Sequence, residues 1–197
     1  PLHSSTVEDP RVTHISIDRE TQIDATKFAE KNFSHIECVF LKSQCNEMSE
    51  LQLQVLELLM THETPNLRSF AFDACANEKV ALLLAKVLRK NAQITELRMM
   101  FFSSLEVESF RTLFASAATL KLSAFAVVCM SESIDIAADS MCFALKEMQS
   151  SLRWLLICLW NPASIRTVCK NFVSLTNLRH LRITCPIKDA DAAAPLF

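Results

Sequence analysis

The stretch Ile94-Thr95-Glu96-Leu97-Arg98-Met99 places apolar side chains at its first, fourth and sixth positions and polar ones between. In an extended chain successive side chains point to opposite faces, so Leu97 and Met99 share one face while Glu96 and Arg98 share the other. That is a short strand with one dry face and one open face. The pattern recurs as Val12-Ile15-Ile17, Ile36-Val39-Leu41, Leu67-Phe70-Phe72, Leu122-Phe125-Val127, Leu152-Leu155-Ile157 and Leu178-Leu181-Ile183. Successive copies lie 24, 31, 27, 28, 30 and 26 residues apart, with a mean of about 28. Every template position is Val, Ile, Leu, Met or Phe. A period of this length marks a solenoid, whose units bury their apolar faces only against their neighbours.

Between the strands the apolar spacing becomes helical. In 77–91, Val80, Leu83, Leu84, Val87 and Leu88 fall on one face. Similar spacing predicts helices near 24–31, 47–62, 105–117, 134–149 and 162–175, with Pro162 suited to the first turn of its helix. Each repeat is therefore a strand followed by a helix. Parallel strands joined by helical crossovers are right-handed. The expected fold is a right-handed α/β solenoid, a horseshoe arc with a parallel, concave sheet of about seven strands. One domain spans 1–197, in repeats of about 12–35, 36–66, 67–93, 94–121, 122–151, 152–177 and 178–197. The chain contains no Gly. Asn is the next residue able to adopt the left-handed conformation that ends many helices, and Asn32, Asn91 and Asn177 stand where such ends are needed.

The segment Val87-Leu88-Arg89-Lys90-Asn91-Ala92-Gln93-Ile94-Thr95-Glu96-Leu97-Arg98-Met99 resembles the helix-end, Asn, strand signature of leucine-rich repeats. The period is similar to that of the ribonuclease-inhibitor-like class, which also includes tropomodulin, the GTPase-activating protein for Ran, and the sensor repeats of innate immune receptors. The resemblance covers about residues 12–183. It implies a protein-binding scaffold or complex subunit, or alternatively an inhibitor or regulator of a specific enzyme, GTPase or actin filament, or a receptor sensor region. The family usually carries Asn or Cys three positions after the third strand apolar. Only Cys75 matches here, the others being Glu20, Gln44, Phe102, Met130, Trp160 and Pro186, so the turns must close in another way.

Composition narrows the chemistry. The charge is balanced, with 20 Lys and Arg against 22 Asp and Glu, which does not favour nucleic acid. No apolar run approaches the roughly 20 residues of a membrane span. Eight cysteines fall at unrelated phases of the repeat without a CxxC pair, which favours free thiols in a reducing, cytoplasmic setting. The single sequon, Asn32-Phe33-Ser34, reads as a helix end entering a strand. Without Gly no P-loop, dinucleotide turn or nucleophile elbow can be written. The five histidines show no metal-ligand spacing. Cys38 shares a strand column with His14 and His180, a weak basis for a nucleophile. Glu106, Glu108, Asp135 and Asp139 read as solvated helix-start charges. The expectation is no catalysis, cofactor or metal.

Function then rests on the outward strand positions, the second, third, fifth and seventh of each repeat. The third-position column is His14, Cys38, Ser69, Glu96, Ala124, Trp154 and His180; the fifth is Ser16, Phe40, Ala71, Arg98, Ala126, Leu156 and Arg182; the seventh is Asp18, Lys42, Asp73, Met100, Val128, Cys158 and Thr184. Repeats four to six expose an apolar patch of Met100, Ala124, Ala126, Val128, Trp154, Leu156 and Cys158, rimmed by Arg98, Arg153, Arg179 and Arg182. An aromatic anchor in an apolar centre with an Arg rim is the composition of a binding hot spot. The expected ligand is another protein, within a larger assembly, and neither nucleic acid nor a membrane.

Overall fold

The computed structural model describes residues 13–18, 33–75, 77–101, 105–129, 134–159, 162–170 and 172–184. Strand and helix alternate: β1 (His14–Asp18), β2 (Cys38–Glu47), α1 (Glu50–Thr61), β3 (Ser69–Cys75), α2 (Glu78–Lys90), β4 (Glu96–Phe101), α3 (Val107–Ala118), β5 (Ala124–Cys129), α4 (Ile134–Glu147), β6 (Trp154–Leu159), α5 (Pro162–Cys169) and β7 (His180–Thr184), with a 3-10 turn at Phe172–Ser174. The strands form one sheet in sequence order, β1 to β7, every pair parallel. Each helix from α1 to α5 packs on the next. Neighbouring strands lie about 4.8 Å apart and packed helices 8–10 Å apart. Stacking the two layers unit by unit makes the sheet the shorter, inner arc, so its free face is concave.

The register follows the sequence template residue for residue. His14, Cys38, Ser69, Glu96, Ala124, Trp154 and His180 lie side by side across the sheet, as do Ile15, Val39, Phe70, Leu97, Phe125, Leu155 and Leu181. In the first six repeats the fourth and sixth positions are buried in one continuous core running from Ile15 to Leu175. The eighth position joins them, since Phe101, Cys129 and Leu159 are fully buried, a fourth inward column beyond the first, fourth and sixth positions expected. Phe101 stacks edge to face between Phe72, with ring centroids 5.2 Å apart, and Phe110, at 5.3 Å, the favoured geometry for aromatic pairs. The last repeat departs from the expectation. Leu181 and Ile183 are 46% and 36% exposed, because no eighth strand or covering helix stands beside β7 among the described residues.

Local chemistry explains the helix limits. Asn77 starts α2, its side chain accepting from the Val80 N–H, and Arg89 and Lys90 complement the dipole in the last turn. Pro162 is the first residue of α5. The helix expected over 47–62 starts later, because Glu47 still belongs to β2, whose register shifts after Lys42. The Asn expectation also needs correction. Asn91 does end α2, but with φ −101° and ψ 60°, outside the left-handed region. Its buried amide works across repeats instead, donating to the Leu59 and Val87 carbonyls and accepting from the Thr64 hydroxyl. Asn177 lies in a turn and donates to the Ser150 carbonyl of the preceding repeat, and Asn66 does the same to Ser34. Asn32 lies outside the described residues.

The second repeat shows how a turn closes without the usual Asn or Cys. Gln52 is fully buried. Its amide nitrogen donates to the Ile17 carbonyl at 3.0 Å, and its oxygen accepts from the Ser43 hydroxyl at 2.8 Å and from the Ser49 N–H at 2.9 Å. The Ser43 N–H donates in turn to Asp73 Oδ1 at 2.9 Å. Gln52 thereby ties repeats one and two together, and Ser43 extends the network to repeat three. Asp73, expected on the open face, is instead buried in this network.

Candidate functional site

The open face of the sheet holds a groove of about 300 Å³ lined by Cys38, Phe40, Ser69, Ala71, Glu96, Leu97, Arg98, Ala124, Ala126 and Trp154. Apart from Leu97 these are third- and fifth-position residues, from β2 to β6. Four strand spacings separate the two ends, roughly 19 Å along the sheet. Phe40 marks one end and Trp154 the other, over a floor of small side chains. The floor is low because Ala71, Ala124 and Ala126 replace the larger residues found in the same columns elsewhere.

The groove overlaps part of the expected patch and extends from it toward the N-terminal strands. Arg98 and Trp154 line the groove, with Ala124 and Ala126 beneath. Ala126 itself is buried and contributes floor more than contact surface. Met100, Val128 and Leu156 are partly exposed on the same face but do not line the groove. Arg153, Arg179 and Arg182 are exposed beyond its Trp154 end. Phe40, Ser69, Ala71 and Glu96, outside the expected patch, also line the groove and occupy the columns assigned to this face, a placement that the register carries.

Trp154 is 37% exposed on β6, so part of its indole is open to the groove. Arg98 is exposed, and its guanidinium donates to the Met100 thioether at 2.9 and 3.3 Å. Sulfur is a weak acceptor, so most of the hydrogen-bonding capacity of Arg98 stays available in the groove.

His14 and Cys38 are paired across β1 and β2, yet the pair lacks the character of a nucleophilic site. Burial pushes the Cys38 thiol up; a hydrogen bond with Ser69 offsets part of the rise, and the Glu96 charge adds to it. An attacking cysteine needs the opposite shift. Cys38 and Cys169 stand as free thiols, and Cys129, Cys142 and Cys158 take part in no disulfide. The side chains of Cys45, Cys75 and Cys185 lie outside the described set. On the helical face, Glu106 directly precedes α3 and shares a hydrogen bond with Glu78, which, with the Glu106 charge, raises the Glu78 carboxyl above its ordinary range. Among the described residues no three His, Cys, Asp or Glu side chains gather as a metal ion would require, and no helix is long and apolar enough to cross a membrane.

No protein-family profile and no curated protein matches this sequence. Among solved structures the chain is similar to the tropomodulin C-terminal domain of Caenorhabditis elegans, with a TM-score of 0.53 and 12% identity, over 88% of this chain and 89% of that one. It shares the leucine-rich-repeat type of fold. At this identity the likeness speaks to the path of the chain and not to its surface.

Proposed function

We propose that this protein is a non-enzymatic binding module that holds a partner protein on the concave face of its sheet, with Trp154 as the principal anchor. The observation that carries the reading is the groove itself, where a half-exposed indole and Phe40 flank a floor of small side chains at outward strand positions. Partner burial of such an aromatic, ringed by less costly contacts, is how protein interfaces concentrate their free energy. The repeat length and fold support assignment to the ribonuclease-inhibitor-like class of leucine-rich repeats. The reading extends to a scaffold or subunit role in a larger cytoplasmic assembly.

The test begins with affinity capture by the intact chain and identification of the retained proteins, followed by titration of each purified candidate. Trp154→Ala should weaken the specific complex at least tenfold, equivalent to about 1.4 kcal/mol, without lowering the melting temperature. Phe143→Ser, on the exposed side of α4, should leave affinity unchanged. Binding indifferent to Trp154→Ala and Phe40→Ala, but lost in Phe143→Ser, would move the interface to the helical face and refute the proposal.

A further inference from the structure

The concave face is charged unevenly, and the unevenness identifies the kind of partner it fits. At the β6–β7 end of the sheet, Arg153 and Arg179 are exposed at the entries to the two strands and Arg182 is exposed on β7, while the outward positions of β5, β6 and β7 hold no carboxylate. Arg153 and Arg179 directly precede β6 and β7, one residue ahead of the Trp154–His180 pair, and the Arg179 N–H donates to the Arg153 carbonyl at 2.8 Å. Like charges held close together repel, and among the described residues no carboxylate pairs with Arg153, Arg179 or Arg182. Their cost is offset when an anion lies between them. These cations adjoin the Trp154 end of the groove, and Arg98, on β4 two strands away, keeps further donors free in its middle.

We propose that the partner presents an acidic segment carrying a large apolar side chain, which enters the groove against Trp154 while nearby carboxylates engage Arg153, Arg179 and Arg182. An extended segment advances about 3.3 Å per residue and strands are about 4.8 Å apart, so carboxylates within about three residues of the apolar side chain reach β7. Guanidinium groups favour bidentate carboxylate contacts. The inference rests on the protein-binding reading above and adds the chemistry of the bound segment.

Peptides of about twelve residues, the scale of groove-bound segments, are selected from a random display library on the intact immobilised chain, then synthesised and titrated by fluorescence anisotropy. The expected winners place Asp or Glu within a few residues of Leu, Phe or Trp. Their affinity falls at least tenfold in R153E/R179E, and again when salt is raised from about 50 to about 300 mM, with the melting curve unchanged. R153Q/R179Q, which removes charge without reversing it, serves if the first variant folds poorly and should show a smaller loss in the same direction. Basic or uncharged winners, or none at all, overturn the acidic-segment proposal. Uncharged winners sensitive to Trp154→Ala but not to R153E/R179E do so while leaving the protein-binding reading intact. A single-stranded oligonucleotide that binds more tightly than any selected peptide, and is lost in R153E/R179E, overturns the proposal in favour of nucleic acid.

Discussion

Replacing Gln52 with Leu tests how much the buried amide contributes to joining the first two repeats. The side chains are similar in size, so little cavity is created and the effect is chiefly that of lost hydrogen bonds. Gln52→Leu strips the Ile17 carbonyl of its side-chain donor and the Ser43 hydroxyl of its acceptor, both in the interior. Each such buried group left unpaired costs about 1–3 kcal/mol. The Ser49 N–H, at the edge of α1, can turn to water, and the Ser49 side chain still caps the Gln52 backbone position. Burying Leu in place of an amide returns about 1 kcal/mol. The expected net loss is about 1–5 kcal/mol, read from urea unfolding followed by far-ultraviolet circular dichroism. Adding Ser43→Ala removes the orphaned hydroxyl and should recover about 1 kcal/mol relative to Gln52→Leu. A loss below about 0.5 kcal/mol for Gln52→Leu, or a double variant less stable than the sum of the two singles, would refute this account.

Phe101→Ala should cost about 3–5 kcal/mol in the same unfolding assay, because it removes a fully buried ring packed edge to face on Phe72 and Phe110; a loss under about 1 kcal/mol would mean the eighth-position column is not core. Cys38 should react with iodoacetamide more slowly than an unstructured cysteine at pH 8, since its raised pKa leaves less thiolate. Glu96→Gln lowers that pKa and should speed the reaction, whereas Ser69→Ala removes a lowering hydrogen bond and should slow it; peptide mapping by mass spectrometry reads Cys38 separately, and reversed signs would contradict the stated causes.

The fold was legible because the same physical demand repeats. A strand such as Leu97-Arg98-Met99 must bury two side chains against its own repeat, and one register satisfies all seven strands. A slip of one residue in any strand would turn its apolar set to water, so the period, alternation and sheet register carry the same information. What was not legible depended on single pairings. Nothing in the spacing distinguishes Asp73 from Lys42 in the seventh-position column, yet Asp73 is buried because the Ser43 N–H in the neighbouring repeat needs an acceptor. Asn91 was correctly placed at a helix end, but its role there comes from the Leu59 carbonyl and the Thr64 hydroxyl, about thirty residues back in sequence.

The candidate site follows the same division. Its residues could be assigned to the open face from alternation, but its position along that face could not, because a groove depends on the sizes of neighbours across five strands. Ranking exposed apolar residues favoured Met100, Val128 and Leu156, whereas depth is set by runs of small side chains between large ones: Ala71, Ala124 and Ala126 form the depression, and Phe40 and Trp154 its ends. In a parallel sheet with known register, reading each outward column for side-chain volume as well as polarity would have found Phe40. The arginines beyond Trp154 do not shape the groove. Under the proposed reading they bias what enters it, so shape and charge are set by different residues and can be separated by substitution: Phe40→Ala and Trp154→Ala should abolish seating of any segment, whereas R153E/R179E should change which segment is selected.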